Sequence, residues 1–101
     1  MAVNLPPFMR SVAENDPDFA KTIEEIVKKA MGEGALDRKT KTLIALALDA
    51  SHGAKEGVAS LAKTARQLGV SEEEINETLR MAYFVAGNSI LAMWECACEE
   101  K

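Results

Sequence analysis

Few of the residues that carry covalent or metal chemistry are present: of 101 residues, one is histidine and two are cysteine. One His and two Cys fall short of the four ligands of a structural zinc site, so no metal and no cofactor are expected. The two thiols stand together as Cys96-Ala97-Cys98. Residues two apart on a helix point about 200° away from each other, so this pair neither closes a disulfide nor chelates a metal while the last turn stays wound. Unpaired thiols fit a reducing compartment. Clustered basic residues are lacking too. Twelve Lys and Arg against sixteen Asp and Glu give a net charge of -4, and a nucleic-acid backbone, which needs a concentrated basic face, is excluded as partner. Lys28 and Lys29 fall where a helix should be ending and complement its dipole.

Long apolar runs are absent as well. Met81 to Trp94 is uncharged but well short of the roughly 20 residues a membrane helix needs, and Gly87, Asn88 and Ser89 interrupt it. The opening MAVNLPPFMR has neither the apolar stretch nor the cleavage pattern of a secretory signal. The expected setting is the cytoplasm, away from membranes.

What is present is helical periodicity. Leu5, Phe8, Met9 and Val12, with Pro6 in a first turn, predict a short helix to about Asn15. Asp16-Pro17 starts a second helix, whose stripe of Phe19, Ile23, Ile26, Val27 and Ala30 stops at Gly32 and Gly34. Asp37 caps a third, apolar all round at Leu43–Leu48, a pattern expected of a helix buried on every side. The chain turns polar over Asp49–Gly53. Val58, Leu61, Ala62, Ala65 and Leu68 form the next stripe, ending at Gly69. Ser71 and Glu74 make a capping box for a helix carrying Ile75, Leu79, Ala82 and Ala86. Met81, Phe84 and Val85 widen its apolar surface beyond what one core requires, so part of it should meet another subunit. A break near Gly87-Asn88 and a last helix over Ile90–Ala97, fraying at Glu99-Glu100-Lys101, complete an all-α reading with one domain over residues 1–101.

The run from Leu36 through Asp37, Lys39, Lys41 and Ala47, then His52-Gly53, Gly69-Val70-Ser71-Glu72-Glu73-Glu74-Ile75 and Ala86-Gly87 resembles the carboxymuconolactone decarboxylase and alkylhydroperoxidase D superfamily, most strongly over residues 36–94. The resemblance implies a small helical bundle that assembles into homo-oligomers, trimers or hexamers. In the redox branch of that superfamily, a Cys-x-x-Cys pair opens the helix after the glycine turn, and a His and a Glu relay the proton. Carried onto this chain, the cysteine positions are Ala54 and Gly57, the His position is Leu61 and the Glu position is Thr42. All four are missing. Cys96 and Cys98 lie on another element, so a disulfide-linked peroxidase mechanism is not expected. The decarboxylase branch also lacks the cysteine pair, but its members usually carry a His where Leu61 stands.

His52 is placed beside the turn where the family builds its reactive site, so one general acid or base is available there. The competing reading, which the sequence favours, is a helix C-cap ahead of Gly53. Glu56 is the candidate second proton-transfer group and Lys55 the candidate cation for a substrate carboxylate, although both also suit a solvated helix start. Ser51 and Asn88 are candidate ligand contacts; for Asn88 and Ser89 the commoner role is satisfying backbone groups at the expected break. A Ser-His-Asp relay through Ser51 or Ser60, His52 and Asp49 lacks the spacing of a nucleophile elbow. Gly53 and Gly57, four apart, predict close helix contact. Three functions stay open: acid-base chemistry on a small carboxylate or lactone-like molecule, non-enzymatic ligand binding, and partner binding.

Overall fold

The computed structural model describes residues 9–99. Every regular element there is helical: α1 (Arg10–Asn15), α2 (Pro17–Met31), α3 (Arg38–His52), α4 (Lys55–Gln67) and α5 (Glu72–Cys98). Leu5, Pro6 and Phe8 of the expected first helix lie outside the described residues, as do Glu100 and Lys101 of the expected frayed end.

The described residues divide into two compact units, one up to Ala35 and one from Leu36 onward. In the first, α1 packs on α2. Asp16 caps α2, its Oδ1 accepting from the Phe19 amide at 3.2 Å, and Pro17 occupies a first-turn site where no hydrogen bond is lost. Lys28 and Lys29 fall in the last turn, as predicted. Ala20 is buried, whereas Phe19, Ile26 and Val27 are exposed.

In the second unit α3 packs against both α4 and α5. Asp37 starts α3 by accepting from the Thr40 amide at 2.8 Å, and that backbone bond holds its carboxyl below the usual range. The core is Leu46, Ala65, Val70 and Ile75, with Leu43, Val58, Leu61, Ala62 and Leu79 partly buried around it. Thr42 is fully buried and spends its hydroxyl on the Arg38 carbonyl at 2.8 Å.

Both ends of α4 are set by glycine. At the α3–α4 turn Gly53 has φ 72°, its amide donates to the Ala50 carbonyl, and the Ala54 amide donates to Asp49. At the α4–α5 turn Gly69 has φ 90°, with the same pattern from Gly69 to Arg66 and from Val70 to Ala65. Val70 and Ala65 are both core residues, so this turn is tied into the interior. The capping box forms as expected: Glu74 N–H donates to Ser71 Oγ at 3.0 Å and Ser71 N–H to Glu74 Oε1 at 2.8 Å. Arg66 closes the corner with two bonds to Glu72, at 2.6 and 2.9 Å.

The polar stretch Asp49–His52 is the last turn of α3, and Gly53 supplies the left-handed residue that ends it, in line with the reading of His52 as a helix end. Two expectations are corrected. Gly87-Asn88 breaks nothing: α5 is one helix of 27 residues, since glycine and asparagine weaken a helix interior without opening its hydrogen-bond ladder. Finally, α3 is not enclosed on every side. Only α4 and α5 cover it within this unit, leaving Ile44 46% and Leu48 55% exposed.

Candidate functional site

The apolar flank of α3 faces a matching flank of α5 across a groove of 530 Å³. Ile44, Ala47, Leu48 and Ser51 form one wall, and Met81, Ala82, Val85, Ala86 and Ser89 the other. The walls meet at this angle because Leu46 on α3 and Ile75 and Leu79 on α5 share the core beneath them. The volume is within the range of small-molecule sites.

Two hydroxyls are the only side-chain polar groups in the lining. Ser51 Oγ donates to the Leu48 carbonyl at 2.7 Å, and Ser89 Oγ donates to the Ala86 carbonyl at 2.9 Å. With their protons committed to the helix backbone, both oxygens offer lone pairs to a visitor. The groove therefore presents an apolar channel with two acceptors and no titratable side chain.

The sequence-derived candidates separate. Ser51 lines the groove. His52, next to it, is exposed at the end of α3 and outside this groove, and its imidazole has no hydrogen-bond partner among the described residues. Glu56 is exposed in the first turn of α4. Lys55 lines a different, shallower concavity with Ala50, Gly53, Val58 and Ala59. Asn88 is exposed and outside the groove, while its neighbour Ser89 both lines it and satisfies a backbone carbonyl. Serine and small apolar residues on two adjoining helices were the available signal for this groove; the sequence reading picked out Ser51 and assigned the apolar residues to core and subunit contact.

Gly57 allows a close approach of a specific kind: a Cβ there would overlap the Asp49 carboxylate, whose Cγ would be 2.9 Å away. At Gly53 a Cβ would meet nothing, so its role is the left-handed turn and not close contact. Among the described residues no group of three or more His, Cys, Asp or Glu is placed to hold a metal, and Cys96 and Cys98 are free and exposed.

The profile of the carboxymuconolactone decarboxylase family matches residues 17–97. The chain belongs to this family. It is similar to an uncharacterized protein of Methanocaldococcus jannaschii, 29% identical over 76 residues, covering 75% of this chain and 71% of that one. No solved structure matches it. Within the family this chain lacks the Cys-x-x-Cys motif, and the fold shows what stands in its place. Ala54 immediately precedes α4 and Gly57 lies in its first turn, Leu61 packs against the core, and Thr42 is sealed in the interior. No helix among the described residues is long and apolar enough to cross a membrane.

Proposed function

We propose that this carboxymuconolactone decarboxylase-family chain is a cytoplasmic homo-oligomer that binds a small apolar molecule in the α3–α5 groove, without thiol redox chemistry. The observation that carries the reading is the lining itself: nine residues, none titratable, with two hydroxyl oxygens left as acceptors. Such a surface suits an apolar body bearing one hydrogen-bond donor. A carboxylate or lactone would require both serines to give up their helix bonds and turn their protons outward. The oligomer is supported by the apolar side chains left exposed along α5, more than single scattered residues would supply.

Acid-base chemistry through His52 and Glu56 is the second reading. It draws on their position at the α3–α4 turn, but their side chains stand outside the groove that would hold a substrate.

Titration with 2-naphthol, which has an apolar body and one hydroxyl donor, tests the proposal against 2-naphthoate. The expected result is saturable binding of 2-naphthol, weaker binding of 2-naphthoate, survival of binding in His52→Gln and loss in Ala47→Phe, which fills the groove. Binding that disappears in His52→Gln and persists in Ala47→Phe overturns the groove reading in favour of the acid-base one.

A further inference from the structure

The crevice between α3 and α5 does not end where the groove does. Beyond Met81, toward the start of α5, a shallower recess of 250 Å³ is lined by Leu43, Glu74, Glu77, Thr78 and Met81. Met81 lines both spaces, so they adjoin across one unbranched, adaptable side chain. Spacing explains the continuity. Glu77, Met81, Val85 and Ser89 recur every four residues along one face of α5, opposite Leu43, Ala47 and Ser51 at the same interval on α3.

The two ends of this crevice differ in charge, and neither lining contains Lys, Arg or His. At the serine end the side-chain polar groups are neutral hydroxyls. At the other end stand two carboxylates. Glu74 already spends Oε1 on the Ser71 amide at 2.8 Å and lies in the field of Lys39. Glu77 is exposed, and its carboxylate has neither a hydrogen-bond nor an ion-pair partner among the described residues. Thr78 beside it donates to the Glu74 carbonyl at 2.8 Å, which leaves its oxygen as a further acceptor. The side chains of the recess therefore offer negative charge and lone pairs, with no free donor.

We propose that the crevice takes an amphiphilic organic cation: a primary ammonium seated at Glu77, on an apolar chain that passes Met81 into the groove. The inference rests on the groove reading above and names the ligand class. An ammonium has three protons and no lone pair, the complement of a wall that only accepts, and its bond to a carboxylate is charge-assisted. The chain meets Ile44, Ala47, Leu48, Ala82 and Val85, where apolar surface leaves water on both sides of the contact. Along α5 the step from Glu77 to Val85 is about 12 Å, and to Ser89 about 18 Å, so a chain of roughly ten carbons suffices. Polarity fixes the direction, because the reverse orientation would leave the ammonium among neutral hydroxyls and Glu77 against hydrocarbon. A carboxylate on the same chain is repelled at Glu77 and finds both serine protons already committed.

Calorimetric titration of the full chain with n-decylamine, 1-decanol and decanoate, each below its micelle-forming concentration, tests this. Decylamine should bind about fivefold more tightly than decanol, and decanoate more weakly than either. Glu77→Gln should remove the amine's advantage and leave decanol unchanged, while Glu77→Lys should reverse the preference in favour of decanoate. Glu95→Gln, which removes the same charge about 27 Å further along α5, should alter none of the three. Failure of decylamine to bind where 2-naphthol does, equal binding of amine and alcohol, or an advantage lowered as much by Glu95→Gln as by Glu77→Gln overturns the cation and leaves the groove reading standing. Failure of all four probes, as when a neighbouring copy of this chain fills the crevice, overturns both.

Discussion

The two halves of α5 share one hydrogen-bond ladder and obey different physics. From Glu72 to Ala82 the helix is built into the protein: Ser71 and Glu74 cap it, Arg66 grips Glu72, Ile75 is buried and Leu79 packs on the core. From Asn88 to Glu99 every residue is exposed, although Ile90, Leu91, Met93 and Trp94 are as apolar as anything in the first half. Apolar content does not separate them; neighbours do. α3 has 15 residues and spans about 22 Å, while the 27 residues of α5 span about 40 Å, so α3 cannot follow α5 to its end. A free apolar helix of about a dozen residues is marginal in water. The second half is stabilised by continuity with the first and, in the proposed homo-oligomer, by a second copy.

The sharpest way to break this contrast is to truncate one leucine in the core on which the first half of α5 packs and one in the second half. Leu46→Ala opens a cavity under α3 where the side chain is fully buried, with an expected loss of about 3 kcal/mol in chemical denaturation at any protein concentration. Leu91→Ala should lower stability only in the concentration-dependent part of the transition, because it removes an exposed side chain from a surface reserved for association. Equal, concentration-independent losses would show that the second half is covered within the chain. Next in size is Gly57→Leu, which drives a side chain onto the Asp49 carboxylate and should cost about 2 kcal/mol. Adding Asp49→Ala should recover part of that loss, and a double-mutant cycle measures how much.

How far the sequence could be read follows the same division. Where a local rule determines the outcome, the residues announced it: Asp16 and Asp37 as caps, Pro17 in a first turn, Gly53 and Gly69 as stops, Ser71 with Glu74 as a box. The missing Cys-x-x-Cys was equally legible, because it is a statement about residue identity alone. What depends on neighbours was not. Leu43–Leu48 spelled a helix buried all round, yet the number of helices packed against α3 is set by tertiary arrangement, and Ile44 and Leu48 stay open. Gly87-Asn88 looked like a break because a penalty was visible and the ladder that absorbs it was not. Ser51 was picked out beside His52, but helical geometry sends adjacent side chains about 100° apart, so one enters the groove and the other faces solvent.

The smallest expected effects belong to the cap of α5, and they sharpen the contrast from the other end. Ser71→Ala should cost about 1 kcal/mol by releasing the Glu74 amide. The carboxyl of Glu74 is held below its usual range by the backbone bond to Ser71, and that of Glu72 by its bonds to Arg66. Because both pKa values are lowered by folding, the stability they contribute is fully present above the ordinary carboxylate range. It is lost as pH falls through the depressed folded values, below the ordinary carboxylate range. Acid should therefore loosen α5 first at Glu72–Ile75, where the carboxylates hold the helix start. Amide hydrogen exchange measured across a pH series, in wild type and in Glu74→Gln, checks this. Faster local opening of the first turn on acidification, largely absent in Glu74→Gln, is the expected outcome; a loss that starts at Trp94 and spreads backward would mean that the apolar half, and not the cap, is the acid-sensitive end.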